Sequence, residues 1–155
     1  MSFLLDKEFS EKYEEHFAKV SGYIWNKSDT DDHGVDIFSP DSSIIIDVKC
    51  YASPKIVNHF RGVFLEMYLP RSGRDGWLID DTKLTTHYIL LQDCDRDKVN
   101  YFRGWYIARD DLVNAMLAAR DDGKLLVKIT DTAEGVILPY MYLDMYCAEK
   151  WKGNK

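Results

Sequence analysis

Apolar side chains recur at helical spacing at Phe9, Tyr13, Phe17 and Val20, which predicts an amphipathic helix over residues 6–20, capped by Asp6 and followed by Gly22. Tyr23-Ile24-Trp25 reads as a short strand, and residues 26–33 as a polar loop holding Asp29, Asp31 and Asp32. Two further strands, roughly 35–38 and 43–51, flank Ser39-Pro40-Asp41-Ser42, whose Pro and Asp suit the centre of a tight turn. If Pro40 and Asp41 form that centre, Asp36 faces Ile45, and Asp36, Asp47 and Lys49 share one face of the hairpin. Asp36 and Asp47 are then diagonal neighbours with backbones about 7–8 Å apart, whereas a slip of one residue would put them on opposite faces.

Further along, Val57, Phe60, Phe64 and Met67 or Tyr68 predict a second helix over 56–69, interrupted by Gly62, and residues 70–76 read as a loop with two arginines. Strands are expected at 86–92 and 102–108. A helix capped by Asp110 then runs through Leu112, Val113, Met116 and Leu117 to Arg120, and short strands follow at 125–129 and 136–138. Helix, three strands, helix, two strands, helix is the order of an α/β or α+β sheet flanked by helices.

With 155 residues, no internal repeat and 46% hydrophobic content, the chain is expected to form a single domain over 1–155. No apolar run reaches the roughly 18 residues of a membrane span, and Met-Ser-Phe-Leu-Leu followed by Asp6-Lys7-Glu8 lacks the features of a secretion signal, so the expectation is a cytoplasmic protein without a membrane partner. Cys50, Cys94 and Cys147 are odd in number and far apart, which argues against a disulfide framework or a zinc knuckle. A net charge of -6 cuts against a strongly adhesive nucleic-acid binder. It leaves room for a protein whose negative charge is local and offset by a bound cation.

The chemistry concentrates in Ile45-Ile46-Asp47-Val48-Lys49. Asp47 and Lys49 lie two residues apart on a strand and point the same way. With Ile44, Ile46 and Val48 on the opposite face and Ile45 on the same one, the strand reads as interior, where unpaired charges cost several kcal/mol. A half-exposed ion pair is the plain alternative. Two carboxylates holding a divalent cation beside a lysine would instead supply an activated water, a Lewis acid and a cation for the charge that develops in phosphodiester hydrolysis.

An acidic helix, Gly22-Tyr23, a loop into Asp32-His33-Gly34-Val35-Asp36-Ile37, and then Asp47-Val48-Lys49 together resemble the PD-(D/E)XK nuclease superfamily, in the manner of Mrr-type restriction endonucleases and Holliday junction resolvases. The resemblance spans roughly residues 6–51. It implies a three-layer α/β/α restriction-endonuclease-like fold with a central mixed sheet flanked by helices. It further implies a metal-dependent endonuclease that hydrolyses DNA with Mg²⁺ or Mn²⁺, often as a homodimer. Asp36 and Asp47 match the metal-binding acids, Lys49 the catalytic lysine, and Val48 the residue that lends a backbone carbonyl to the metal. The helix glutamate of the family counts to Glu11, although Glu11 lies away from the apolar face, and Glu14 is the fallback. A catalytically inactive nuclease-fold module that binds DNA or protein is the alternative.

Arg71, Arg74 and Lys83 are the candidate contacts to a nucleic-acid backbone. Glu66 and His59 could reach the site from its flank, and His33 could serve as base or ligand. Trp77, Trp105, Tyr106, Tyr140 and Tyr142 read mainly as core or sheet surface, with base stacking as the functional option. Asp93-Cys94-Asp95-Arg96-Asp97 imitates the opening of a calcium loop, but Lys98 and Gly104 stand where that loop needs glycine and glutamate.

Overall fold

The structure, a computed structural model, describes residues 7–26, 34–52, 62–94 and 103–153. The chain order is α1 (Lys7–Ser21), β1 (Ile24–Trp25), β2 (Ile37–Phe38), β3 (Ile45–Ala52), β4 (Gly62–Leu69), β5 (Arg74–Asp75), β6 (His87–Cys94), β7 (Arg103–Ala108), α2 (Arg109–Asp121), β8 (Leu126–Ile129), β9 (Glu134–Pro139), α3 (Tyr140–Tyr146) and β10 (Glu149–Lys152). Among the described residues no helix is long and apolar enough to cross a membrane.

Two sheets form. The larger is mixed, with order β1-β2-β3-β6-β7-β10, and its one parallel pair is β3 with β6. The smaller, β5-β4-β9-β8, is antiparallel throughout. The mixed α/β class and the mixed sheet are as expected, whereas the second sheet is not.

Strand alternation divides the core in two. Ile46, Val48 and Cys50 of β3, with Ile37, Ile89 and Leu91, pack against Tyr13 and Phe17 of α1. On the opposite face Tyr51, Tyr88, Leu90, Trp105 and Ile107 meet Val63, Leu65, Ile137 and Leu138 of the small sheet, together with Leu112 and Ala115 of α2 and Tyr142 and Leu143 of α3. Each large apolar side chain removed from water in this way contributes about 1.5–3 kcal/mol.

Several expectations are corrected. Residues 62–69 are strand β4, while 56–61 lie outside the described residues, as do Val57, His59 and Phe60. Val63, Phe64 and Leu65 are consecutive and all buried, as a strand covered on both sides requires and a helix with one apolar face does not. The predicted loop 70–76 contains β5. Helix α2 starts at Arg109 behind an extended Ala108 with no side-chain cap, and Asp110 sits inside its first turn, where a carboxylate favours the helix dipole. Helix α3 and strand β10 were not foreseen. Asp6, His33 and Asp95 to Asp97 lie outside the described residues.

The hairpin is also two residues out of the predicted register. Pro40 and Asp41 do form the turn, with the Ser42 N–H donating to the Ser39 carbonyl at 2.8 Å, but the strands close only at Ser39 N–H to Ile44 C=O, 2.9 Å. Ser42 adopts φ 61°, and the Asp41 carboxylate accepts from the hydroxyls of Ser39 (2.7 Å) and Ser43 (2.8 Å), which builds a longer loop than a two-residue turn. The observed pairs are Ile37 with Ile46 and Phe38 with Ile45. Because the shift is even, every side chain keeps its face.

Gly76 sits where the chain leaves β5 and passes against β4, its N–H donating to the Met67 carbonyl at 2.9 Å. A Cβ there would run into the backbone carbonyl of Glu66. Gly76→Ala should therefore lower stability by ~2–4 kcal/mol. Gly123→Ala, at φ +68° but facing open space, should lower it by only ~1 kcal/mol. Urea denaturation compares the two, and equal losses would show that no such close approach exists.

Candidate functional site

Strand β3 lies inside the large sheet, between β2 and β6. Its Asp47 and Lys49 point away from α1, into the face shared with the small sheet. The Lys49 ammonium stands 3.2 Å from an Asp47 carboxylate oxygen, with the two side chains only 20% and 8% exposed. The half-exposed ion pair considered from sequence is thus largely withdrawn from solvent.

Asp36 joins them from the end of β2. Past the Ile37–Ile46 rung, its carboxylate accepts the Val48 N–H at 2.8 Å, so a side chain takes over where the strand's own pairing ends. Its carboxyl also hydrogen-bonds to Asp47, so the shared face predicted for Asp36, Asp47 and Lys49 is what the structure shows. Val48 meets the group through this N–H.

The third carboxylate comes from α1. Glu14 is buried, 5% exposed, and its charge acts on Asp36. Glu11, one turn earlier, is half-buried and acts on Glu14. It is therefore Glu14, on the helix side that carries buried Ala18, that the fold brings to Asp36 and Asp47.

Burial and mutual repulsion set the protonation of this group. Burial first, then the charges of Asp47 and Glu14, push Asp36 up to about 9, with the Val48 N–H opposing. Burial raises Glu14 to about 7 against interactions with the side chains of Ser10 and Trp25. For Lys49 burial disfavours the charge, yet Asp47, Asp36 and Glu66 more than offset it and hold the ammonium protonated. Glu66 reaches Lys49 from β4, from the flank expected but on a strand, and is itself raised by burial, with Lys49 and Lys83 pulling it down. His59 lies outside the described residues.

Three carboxylates, Asp36, Asp47 and Glu14, thus act on one another, and Lys49 pairs with Asp47. Asp36 therefore keeps its proton through neutral pH, and Glu14 releases its own at about 7. A divalent ion would offset that excess, and the donor set suits one that takes one or two carboxylates and fills its shell with water and phosphate oxygens, as Mg²⁺ does. Among the described residues no three His, Cys, Asp or Glu side chains converge as a ready-made metal cage. Asp36 and Asp47 are instead held by Val48 and Lys49.

The three basic residues considered for backbone contacts separate. Arg74 and Lys83 line one cleft of about 520 Å³ with Gly73, Asp75 and Asp80 to Thr82. Lys83 also lies against Gly34, two residues from Asp36. Arg71 is exposed and pairs with Asp131 at 3.1 Å.

Two further residues carry the site's architecture. The Lys49 ammonium lies over the Trp77 ring, 5.1 Å from its centroid. Arg109 ties the segment after β5 to the start of α2, donating to the carbonyls of Leu78 (2.8 Å), Asp80 (2.7 Å) and Lys83 (3.3 Å). Neither role left a signal in the sequence, since Arg109 bonds only to backbone and Trp77 reads as core. Of the other aromatics, Trp105 is buried with its indole N–H on Asp144 at 2.8 Å, and Tyr142 is buried, as expected of core.

Comparisons with protein-family models, with curated proteins and with solved structures find no match for this chain.

Proton linkage gives the site a measurable signature. Asp36 and Glu14 bind protons more tightly folded than at their ordinary values of 3.8 and 4.5. Their contribution is therefore complete at low pH and lost as pH rises through 7 for Glu14 and 9 for Asp36. In chelator, thermal unfolding between roughly pH 5 and 9 should show stability falling as pH rises. Asp36→Asn should flatten the slope and raise stability at alkaline pH by ~1–3 kcal/mol. A flat profile, or an Asn variant less stable throughout, would show that the carboxylates are not in conflict.

Proposed function

We propose that this chain is a metal-dependent endonuclease of the PD-(D/E)XK type, with the restriction-endonuclease-like fold, that hydrolyses DNA phosphodiester bonds using Mg²⁺ or Mn²⁺. The observation that carries the reading is the surplus of acid around Asp47: Asp36 hydrogen-bonds to it, buried Glu14 acts on both, and Lys49 pairs with Asp47 at 3.2 Å. A structural ion pair needs one acid. A surplus of buried acid raises the energy of the cation-free protein and is most simply explained by a positive ligand.

In this reading Asp36 and Asp47 hold the metal, with the Val48 carbonyl and a helix carboxylate as further donors. For the latter we take Glu14 in place of Glu11, because Glu14 acts directly on Asp36. The bound ion supplies Lewis-acid polarisation of the phosphate and lowers the pKa of a coordinated water. Lys49, kept charged by its acidic neighbours, orients the attacking water or stabilises the charge that builds on the pentavalent phosphorus. Arg74 and Lys83, which share a cleft, contact the DNA backbone, with the Lys83 stem lying against Gly34. Arg71 contributes less, being exposed and paired with Asp131. A homodimer would let two such sites meet two strands.

With a net charge of -6, binding and cutting should both require the divalent ion. Plasmid, branched and single-stranded DNA should be cleaved in Mg²⁺ or Mn²⁺ and left intact in chelator. Lys49→Ala and Asp47→Ala should each lose at least ~10²-fold in rate. Folded protein that cuts no DNA with any divalent ion overturns the enzyme reading, and DNA or protein binding without cleavage would identify an inactive module instead.

A further inference from the structure

We propose that Trp77 is a positioning residue for Lys49, an indole face that holds the ammonium in place without consuming its hydrogen-bond donors. The inference rests on Lys49 acting on phosphate as described above.

The geometry gives the reason. Lysine carries its charge on a flexible four-carbon stem with three rotatable donors, and Asp47 takes one of them at 3.2 Å. A second carboxylate in contact would take another donor and leave less for a substrate oxygen. The Trp77 ring, its centroid 5.1 Å from the nitrogen, attracts the same charge through its π face. Indole is the strongest of the aromatic partners in such contacts, and a desolvated one contributes most.

Trp77 is itself held. It is 6% exposed, its ring lies 4.9 Å from that of Tyr88, and the Tyr88 hydroxyl donates to the Trp77 carbonyl at 3.4 Å. The next residue's carbonyl, that of Leu78, accepts twice from the Arg109 guanidinium, at 2.8 and 3.1 Å. The surface beneath Lys49 is therefore set by β6, by the loop and by the start of α2 together.

The test uses the whole chain labelled with 5-fluorotryptophan, whose four fluorine signals are assigned from single Trp→Phe variants. Removing the charge with Lys49→Met should move the Trp77 signal and leave those of Trp105 and Trp151 in place. In DNA cleavage Trp77→Phe, which keeps a ring, should stay within ~3-fold of wild type, while Trp77→Leu should lower kcat by ~10–30-fold at unchanged KM. A Trp77 signal that ignores Lys49→Met overturns the proposal, as does a folded Trp77→Leu protein with wild-type kcat. If the wild type cuts no DNA, the nuclease reading fails by itself, and the fluorine comparison still decides whether Trp77 holds Lys49.

Discussion

An acid and a base on the buried face of an interior strand determine what every element around β3 has to provide. Asp47 and Lys49 satisfy each other at 3.2 Å, and that contact alone would be self-contained. What the fold adds is more acid. The end of β2 brings Asp36 and α1 brings Glu14, while from the small sheet Glu66 faces Lys49. Buried like charges repel strongly, and folds arranged for stability alone tend to pair such charges or replace them with apolar groups. Here Ile46, Val48 and Cys50 hold the opposite face of the same strand to α1 through apolar packing on Tyr13 and Phe17 and the Cys50 thiol on the Ser10 hydroxyl. The strand is thus anchored by one face and electrostatically loaded on the other.

This division explains how the load is tolerated. Both faces of the large sheet are covered, so the packing that holds β3 does not depend on the carboxylates being content. Asp36 can remain protonated, sharing its hydrogen with Asp47 and accepting from Val48, without any element moving. Protonation of Asp36 and Glu14 is thus how the group accommodates its surplus of acid.

The sequence made the heart of the site legible because strand alternation is a two-valued property. The turn around Pro40 and Asp41 was predicted two residues too tight, yet Asp36, Asp47 and Lys49 stayed on one face because an even shift changes no side chain's direction. Helix phase is less forgiving: the family count reaches Glu11, while the helical wheel favours Glu14 as the fallback, and it is Glu14 that is buried. The small sheet was not legible. The middle of β4, Val63 to Leu65, is buried on both faces, and so short an apolar run carries no period that separates strand from helix. Helix α3 and strand β10 are short elements fixed by tertiary contacts, Trp105 with Tyr140 and Trp151 against Gly104, rather than by any local pattern.

The least legible part is also the one that joins the two halves of the protein at the site. Arg109 opens α2, and its guanidinium fastens the carbonyls of Leu78, Asp80 and Lys83, so one side chain sets the path of the segment between β5 and β6. That path delivers Trp77 beneath the Lys49 ammonium and Lys83 beside Gly34. Cross-strand register can place acids next to a lysine, but it cannot decide where the ammonium points along four rotatable bonds. Fixing that direction takes a rigid surface from outside the sheet, and a backbone clamp on a neighbouring loop is a means of holding one still.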